Sequence, residues 1–396
     1  MRDVVIASYV RSAQSRCRPN DPGRDWLFNI RTDDLLAKLL PEAIDRAGLE
    51  AKDVDDFVMG CAQAVGENFT LGGRGPHLLA NLDKRTSCKQ VDEQCGSTMA
   101  ALQIGFMEIA QGFADVVLCG GMEHMGRIPM GGDGKIELNL RMFSDPSLLH
   151  WDFMTSMNMG LTAEKLAAMG YTREEMDAWG ARSHQLAFKA QQEGFFDGEI
   201  LPVDVRQGDG TIKAVDTDQA VRADATAEDM AKLKPVFKKN GTIHAGNSSP
   251  LNAGATALVL MDRETAQSKG IKPLARIVSI GFAGVEPNIM GTGPVPSTLR
   301  ALQSAGLEAS DIDFWEINEA FAVVALYAIK ELGLDPDKVN VKGGGIAIGH
   351  PLGATGGRLV GTLARILQQE GGRYGCATMC VGGGQGVAMI IENEAN

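Results

Sequence analysis

Residues 3–10 are an apolar, β-branched run that predicts a strand. Residues 11–25 are polar and broken by Pro19, Pro22 and Gly23, so they predict a loop. Leu35, Leu36, Leu39, Leu40 and Ile44 then recur at helical spacing. A helix is expected over residues 32–47, with Thr32 or Asp33 as its N-cap and Gly48 as its stop. Residues 54–61 turn apolar again and predict a second strand. This strand–loop–helix–strand rhythm is that of an α/β fold.

The unit returns later in the chain. Residues 43–57 align without gaps to residues 301–315, and eight of the fifteen positions are identical: Ala43, Ala47, Gly48, Leu49, Glu50, Ala51, Asp53 and Asp55. Each half then carries a reactive side chain, Cys95 or His350, on a turn before a small-residue helix, and a strand follows at 116–119 or 377–381. Two homologous α/β halves are the expectation. Residues 122–251 differ in character and read as an insertion into the first half, of the kind that carries specificity. The insertion holds Met142, Met154, Met157 and Met159, a helix expected at 172–193, and the lysines 232, 234, 238 and 239. Core packing is the simplest expectation for the methionines. For the lysines, a solvated face and a phosphate-steering patch stand level.

Composition narrows the function classes. A chain of 396 residues exceeds one ordinary core, and 44% hydrophobic with 22% charged residues is a soluble globular composition. A formal charge of −12 with pI near 5.1 argues against nucleic-acid binding, which wants a basic face. No apolar run reaches the roughly 18 residues of a membrane span. The cysteines at 17, 61, 88, 95, 119, 376 and 380 are odd in number and irregular in spacing, so no disulfide framework is expected. With a strand-like start and no leader pattern, the expected location is cytoplasmic.

The candidate chemistry sits on glycine-rich turns. Cys95 follows a strand-like approach and precedes Gly96-Ser97-Thr98 and a helix. A sulfur at a helix N-terminus is expected to shift toward the thiolate, although a small buried hydrophobe remains an equal reading. His350 stands in Gly349-His350-Pro351 after a glycine run, where no neighbouring side chain blocks a substrate. Cys380 precedes Gly382 and Gly383, and Asn318 ends a strand beside a new helix. His184 is expected on a surface or in a structural role, and His77, His150 and His244 lie in loops without a partner signature; His124 stays open. Cys376 and Cys380 have no second pair at zinc spacing, so no metal site is expected. The glycine runs match neither a dinucleotide fingerprint nor a Walker motif. Two cysteines, one histidine and one asparagine suit acyl transfer through a thioester.

Over nearly its whole length the chain resembles the thiolase family. The resemblance rests on Gln94-Cys95-Gly96-Ser97, Gly120 to Met125, Gly160 to Glu164, Gly246-Asn247-Ser248-Ser249, Asn318 to Ala322, Gly345 to Gly353 and Cys380 to Gly386. It implies two βαβαβαββ halves in a five-layered αβαβα core with an inserted loop domain that binds coenzyme A. The implied bounds are 1–121 with 252–272 for the first half, 122–251 for the loop domain and 273–396 for the second half. It also implies Cys95 as the acylated nucleophile, His350 as the group that takes its proton, and Cys380 as the acid/base at the α-carbon. One implied oxyanion site is His350 with a water held by Asn318; the other is the backbone N–H groups of Cys95 and Gly382. Ser249, Met159, Phe237 and Phe321 are the implied substrate and coenzyme A contacts. The resemblance implies no permanently bound cofactor, coenzyme A being a substrate.

The chain departs from the family pattern at three places. Arg11-Ser12-Ala13-Gln14 replaces the family's frequent Arg-Thr-Pro, and the turn after Ser249 ends Asn252-Ala253-Gly254 where Asn-Asp-Gly is common. Asn158-Met159-Gly160 replaces the His-Met-Gly of short-chain biosynthetic members. This last, with Glu123 to Met130, is more similar to degradative 3-ketoacyl-CoA thiolases, so β-oxidation-type cleavage is expected over acetoacetyl-CoA synthesis. A ketoacyl synthase would lack Cys380, and a silent acyl carrier would have lost one of Cys95, His350 or Cys380. The resemblance further implies a homodimer or homotetramer, with residues 128–143 as a second contact, and leaves room for a hydratase/dehydrogenase partner subunit.

Overall fold

The computed structural model describes residues 1–394, the Asp133 side chain excepted, so the last two residues of the expected second half lie outside the described residues. The first half runs β1 (Val4–Arg11), α1 (Thr32–Arg46), β2 (Asp56–Gly60), α2 (Arg74–Leu79), β3 (Ser87–Val91), α3 (Ser97–Ala110) and β4 (Val116–His124). The chain then leaves for α4 (Met159–Ala167), α5 (Arg173–Gln192) and a hairpin of β5 (Val203–Arg206) and β6 (Ile212–Val215). It returns in β7 (Asn252–Asp262). The second half is β8 (Ala275–Gly284), α6 (Pro294–Ala305), β9 (Phe314–Ile317), α7 (Ala322–Leu332), α8 (Leu352–Glu370), β10 (Tyr374–Val381) and β11 (Gln385–Asn393).

Strand order is β9-β10-β11-β8-β1-β7-β4-β2-β3. The two halves of this sheet meet where β1 pairs with β8 at Val5–Arg276 and Ile6–Ala275. The halves repeat one another: β2 pairs in parallel with β3 and β4, and β9 pairs in parallel with β10. Where β3 would recur, the second half keeps only a parallel bridge between Trp315 and Val339. β1, β4 and β7 are buried at every position, as strands covered on both faces must be. Three apolar clusters mark the layers. One joins α1 to the first half-sheet, one lies around α3 and α8 between the half-sheets, and one joins α7, α4 and part of α5 to the second.

The sequence repeat is a repeated cap. Gly48 (φ 70°) and Gly306 (φ 67°) stop α1 and α6 in the left-handed region. Glu50 with Asp53, and Glu308 with Asp311, then close the same capping box before β2 and β9. The expected Thr32 or Asp33 cap on α1 is not made. The N-cap is Arg31; Asp33 instead accepts from Arg31 Nε at 2.9 Å, and Thr32 is buried against Glu67. Met159 packs partly buried against the third cluster, but two of the four methionines depart from expectation, Met154 being 73% and Met157 50% exposed. They lie on a surface segment that packs little of itself into a core.

Glycine sets the closest approach in the centre. A Cβ on Gly121 would overlap Thr98 Oγ1 and the Gly353 carbonyl, whereas one on Gly284 meets nothing within 4 Å. Gly121→Ala should therefore cost at least about 1–3 kcal/mol and Gly284→Ala under about 0.5 kcal/mol in urea unfolding. Equal midpoints for the two variants would contradict this packing.

Candidate active site

Cys95 lies in the turn Gln94–Gly96 that feeds α3. Gln94 is held at φ 48°, and Asp92 Oδ1 accepts both its backbone N–H (3.0 Å) and its side-chain amide (3.2 Å). A non-glycine residue in that region is held there by its surroundings, as happens at functional turns. The backbone N–H groups of Gly382 and of Cys95 itself point at the Cys95 sulfur. The expected shift toward thiolate does not occur: burial outweighs these donors and pushes the thiol up to about 11. Helix-end donors favour an anion, but Cys95 is only 7% exposed, and its sulfur loses more by leaving water.

His350 is positioned by groups on three segments. Gly349 (φ 128°) passes so close to Asn252 that a Cβ would sit 2.6 Å from its Nδ2. Asn252 Oδ1 accepts the His350 N–H at 2.8 Å, and Asn252 Nδ2 donates to the Ser15 carbonyl at 2.8 Å. The Thr355 hydroxyl donates to the Pro351 carbonyl at 2.8 Å, so it accepts from His350 Nδ1 at 2.7 Å. That puts the ring proton on Nδ1 and leaves Nε2 as the acceptor. Burial, with the Arg358 charge behind it, pushes His350 down to about 3, so the resting ring is neutral. Asn318 Nδ2 lies 3.3 Å from Nε2, and Asn318 Oδ1 is buried without a partner, room for one more hydrogen bond.

Cys380 sits near the end of β10, fully buried, close enough to Cys95 for that sulfur to disfavour its ionisation. Burial and that neighbour push its thiol far above the ordinary range. Met159 lies beside Gly382, its sulfur 3.9 Å from where a Cβ would be, and Phe237 packs on Gly160 and edge-on to Phe321 at 6.1 Å. The Ser249 N–H donates to the Ala320 carbonyl at 3.0 Å, which brings Ser249 next to Phe321. All the sequence-derived site residues thus fall around one place. A cleft of about 680 Å³ between residues 18–26 and 207–219 shares none of them.

Several positioning residues carry no motif of their own. Thr98, one turn after Cys95, donates to the carbonyl of Gly353, one turn after His350. Glu123 accepts from the N–H groups of Ala62 and Gly353, both at 3.1 Å, and from Asn68 at 2.9 Å; burial pushes its carboxyl up to about 8. Glu319 holds the glycine run, accepting from Ser183 (2.6 Å), Trp179 (2.9 Å), Asn340 (2.8 Å) and the Ile346 N–H (3.2 Å). His244, read as partnerless, is buried with its Nε2 2.7 Å from Asp177, in a network with Asn247. His184 is likewise buried, accepting the Arg222 N–H at 3.3 Å. Thr355 had one available signal, its place a helical turn beyond His350.

Family models match most of the chain: "Thiolase, N-terminal domain" over residues 14–264 and "Thiolase, C-terminal domain" over residues 271–393. A 3-ketoacyl-CoA thiolase of Marinobacter nauticus is 42% identical, with 99% of this chain and 98% of that protein covered. One from Chromohalobacter salexigens is also 42% identical, at the same coverage. Among solved structures, the Bacillus anthracis acetyl-CoA acetyltransferase superposes with TM-score 0.88 at 37% identity, covering 99% of each chain. Human mitochondrial 3-ketoacyl-CoA thiolase in complex with CoA gives TM-score 0.88 at 34% identity, covering 99% of this chain and 98% of that one.

Because burial pushes the Cys95 thiol up to about 11, its resting reaction with iodoacetamide should climb with pH. The expected rise is about tenfold per unit from roughly pH 7 to pH 9, without a plateau. A plateau beginning near pH 7 would mean a thiolate–imidazolium pair instead of two neutral groups.

Proposed function

The chain belongs to the thiolase family, and on that premise we propose that it cleaves 3-ketoacyl-CoA with coenzyme A, yielding acetyl-CoA and a shortened acyl-CoA. It is an acyltransferase, coenzyme A is its substrate, and no cofactor is bound permanently. The observation that carries the reading is the sulfur of Cys95 beneath the N–H groups of Gly382 and Cys95, with Cys380 alongside.

His350 Nε2 takes the Cys95 proton as the sulfur bonds to the 3-keto carbon. The C2–C3 bond breaks and its electron pair leaves as the enolate of acetyl-CoA. Cys380 gives its proton to C2, and the acyl group remains on Cys95. Coenzyme A then enters, loses its thiol proton to Cys380 and attacks the acyl carbon, while Cys95 departs and recovers its proton from His350. The N–H groups of Cys95 and Gly382 hold the acyl oxygen. Protonated His350, with a water on Asn318, holds the thioester oxygen as charge builds there. Two neutral groups are a sound resting state, because a buried ion pair would form only when the carbonyl arrives to receive the charge.

Met159, Phe237, Phe321 and Ser249 are the proposed contacts of the acyl-pantetheine. In this reading residues 122–251 form the coenzyme A-binding loop domain between 1–121 with 252–272 and the second half from 273. Asn158, where short-chain members have histidine, caps α4 by accepting from Leu161 N–H at 3.2 Å. That replacement, with the relatives named 3-ketoacyl-CoA thiolase, supports β-oxidation-type cleavage over acetoacetyl-CoA synthesis. A homodimer would pair through the exposed edge of β3, flanked by the exposed Phe69, Leu71, Leu78 and Leu79. Met130, Leu138 and Leu140 would supply the second contact of a tetramer. Among the described residues no helix is long and apolar enough to cross a membrane; a cytoplasmic site of action is part of the proposal.

Cleavage of 3-ketoacyl-CoA should extend to medium chains and show ping-pong kinetics. Cys95→Ser should abolish it, and Asn318→Ala should lower kcat by about 10²–10³. Activity confined to acetoacetyl-CoA would move the assignment to the acetyl-transfer reaction.

A further inference from the structure

Spacing along the chain offers no metal-ligand pattern, yet folding assembles one outside the active site. Cys17, Asp25 and His124 are all buried, and one ligating atom of each lies within 4.8 Å of the others. Cys17 Sγ is 3.7 Å from His124 Nδ1, and Asp25 Oδ2 is 3.8 Å from His124 Nε2. Asp25 uses only one oxygen: Oδ1 accepts from Ser15 Oγ at 2.5 Å and from Leu27 N–H at 3.0 Å. Its Oδ2 is buried with no N–H or O–H donor, the side chain being 0% exposed, and the neighbour that hydrogen-bonds this carboxylate from the other side is the Cys17 thiol. An oxygen in that position costs free energy unless something occupies the space in front of it.

We propose that Cys17, Asp25 and His124 bind one thiophilic divalent cation of the zinc class. Thiolate sulfur, imidazole nitrogen and carboxylate oxygen are the three donor types that zinc takes, and three protein ligands leave a fourth position for water. The charges close: one thiolate and one carboxylate balance a dication, so the buried cluster becomes neutral. Burial, with the Asp25 charge beside it, holds the Cys17 thiol far above its ordinary range, so the cation itself must displace the proton, helped by the N–H groups of Met125 and Gly126 that point at the sulfur. Competition comes from the present partners of His124, the Leu27 carbonyl and the Arg127 N–H, each 3.3 Å away. The cation displaces one of them.

The site would act as a structural clamp. Cys17 and Asp25 belong to the loop between β1 and α1, and His124 is the last residue of β4, where the chain leaves for the loop domain. A cation there fastens the N-terminal loop to that exit, and through Ser15 to Asn252, the residue that holds the His350 backbone. Its effect on the active site would be indirect.

The test uses the full chain, stripped with a chelator and titrated with Co²⁺ as the probe. The expected result is a near-ultraviolet thiolate-to-cobalt charge-transfer band that saturates at one cation per chain and is displaced by Zn²⁺. The band should persist in Cys95→Ser and Cys380→Ser and vanish in Cys17→Ser. Asp25→Asn, which keeps the acceptor for Ser15 and Leu27, should weaken Co²⁺ binding at least about tenfold. It serves alone if Cys17→Ser does not fold. No band, a band that survives Cys17→Ser, or an affinity unchanged by Asp25→Asn would each overturn the proposal.

Discussion

The structure depends on the approach of two helix starts. Cys95 precedes α3 and His350 precedes α8, and these helices meet N-terminus to N-terminus between the two half-sheets. Backbone must lie almost against backbone there: a Cβ on Gly356 would stand 2.7 Å from Met99 N, and one on Gly357 2.5 Å from Thr256 Oγ1. The Thr98 hydroxyl then ties α3 to the Gly353 carbonyl. Glycine in a helix normally weakens it, so a run such as Gly353, Gly356, Gly357 and Gly361 in α8 makes sense only as packing. The candidate active site is a consequence of that packing, because it brings one candidate residue from each half to the same seam.

The same burial governs the chemistry. A seam closed tightly enough to place Cys95, Cys380 and His350 together also excludes the water that would stabilise ions. Both thiols are pushed up and the imidazole is pushed down, all three chiefly by burial. The site therefore rests neutral and is polarised only by donors fixed in advance, the N–H groups of Gly382 and Cys95. Such preorganised dipoles contribute most where the dielectric is low and nothing has to reorient when charge develops. Thr355 adds direction by fixing the proton on Nδ1, so that Nε2 is the nitrogen free to accept.

Much of this was legible in the chain, and the reasons differ by residue. The cap Gly48 to Asp53, repeated as Gly306 to Asp311, is local turn chemistry, which is why two halves could be read from fifteen positions. Cys95, His350, Cys380 and Asn318 stood out because glycine flanks or a strand end exposed them as turns. The direction of the Cys95 shift was not legible, since a helix start is visible in sequence but depth of burial is set by distant segments. Asn252, Glu123 and Thr355 act through contacts across the fold, so nothing near them in sequence announces a role. The exposed methionines misled for a related reason: an apolar residue type does not say which surface covers it. Cys17, Asp25 and His124 come from two segments with no ligand spacing and become a cluster only when the N-terminal loop meets the end of β4.

The most direct test of the central claim is intact-mass and peptide mass spectrometry after mixing the protein with a medium-chain 3-ketoacyl-CoA, with no free coenzyme A added. The account predicts a mass gain equal to the shortened acyl group, located on the peptide that carries Cys95 and removed on adding coenzyme A. An acyl group on Cys380 instead, or turnover with no covalent species at all, would contradict it.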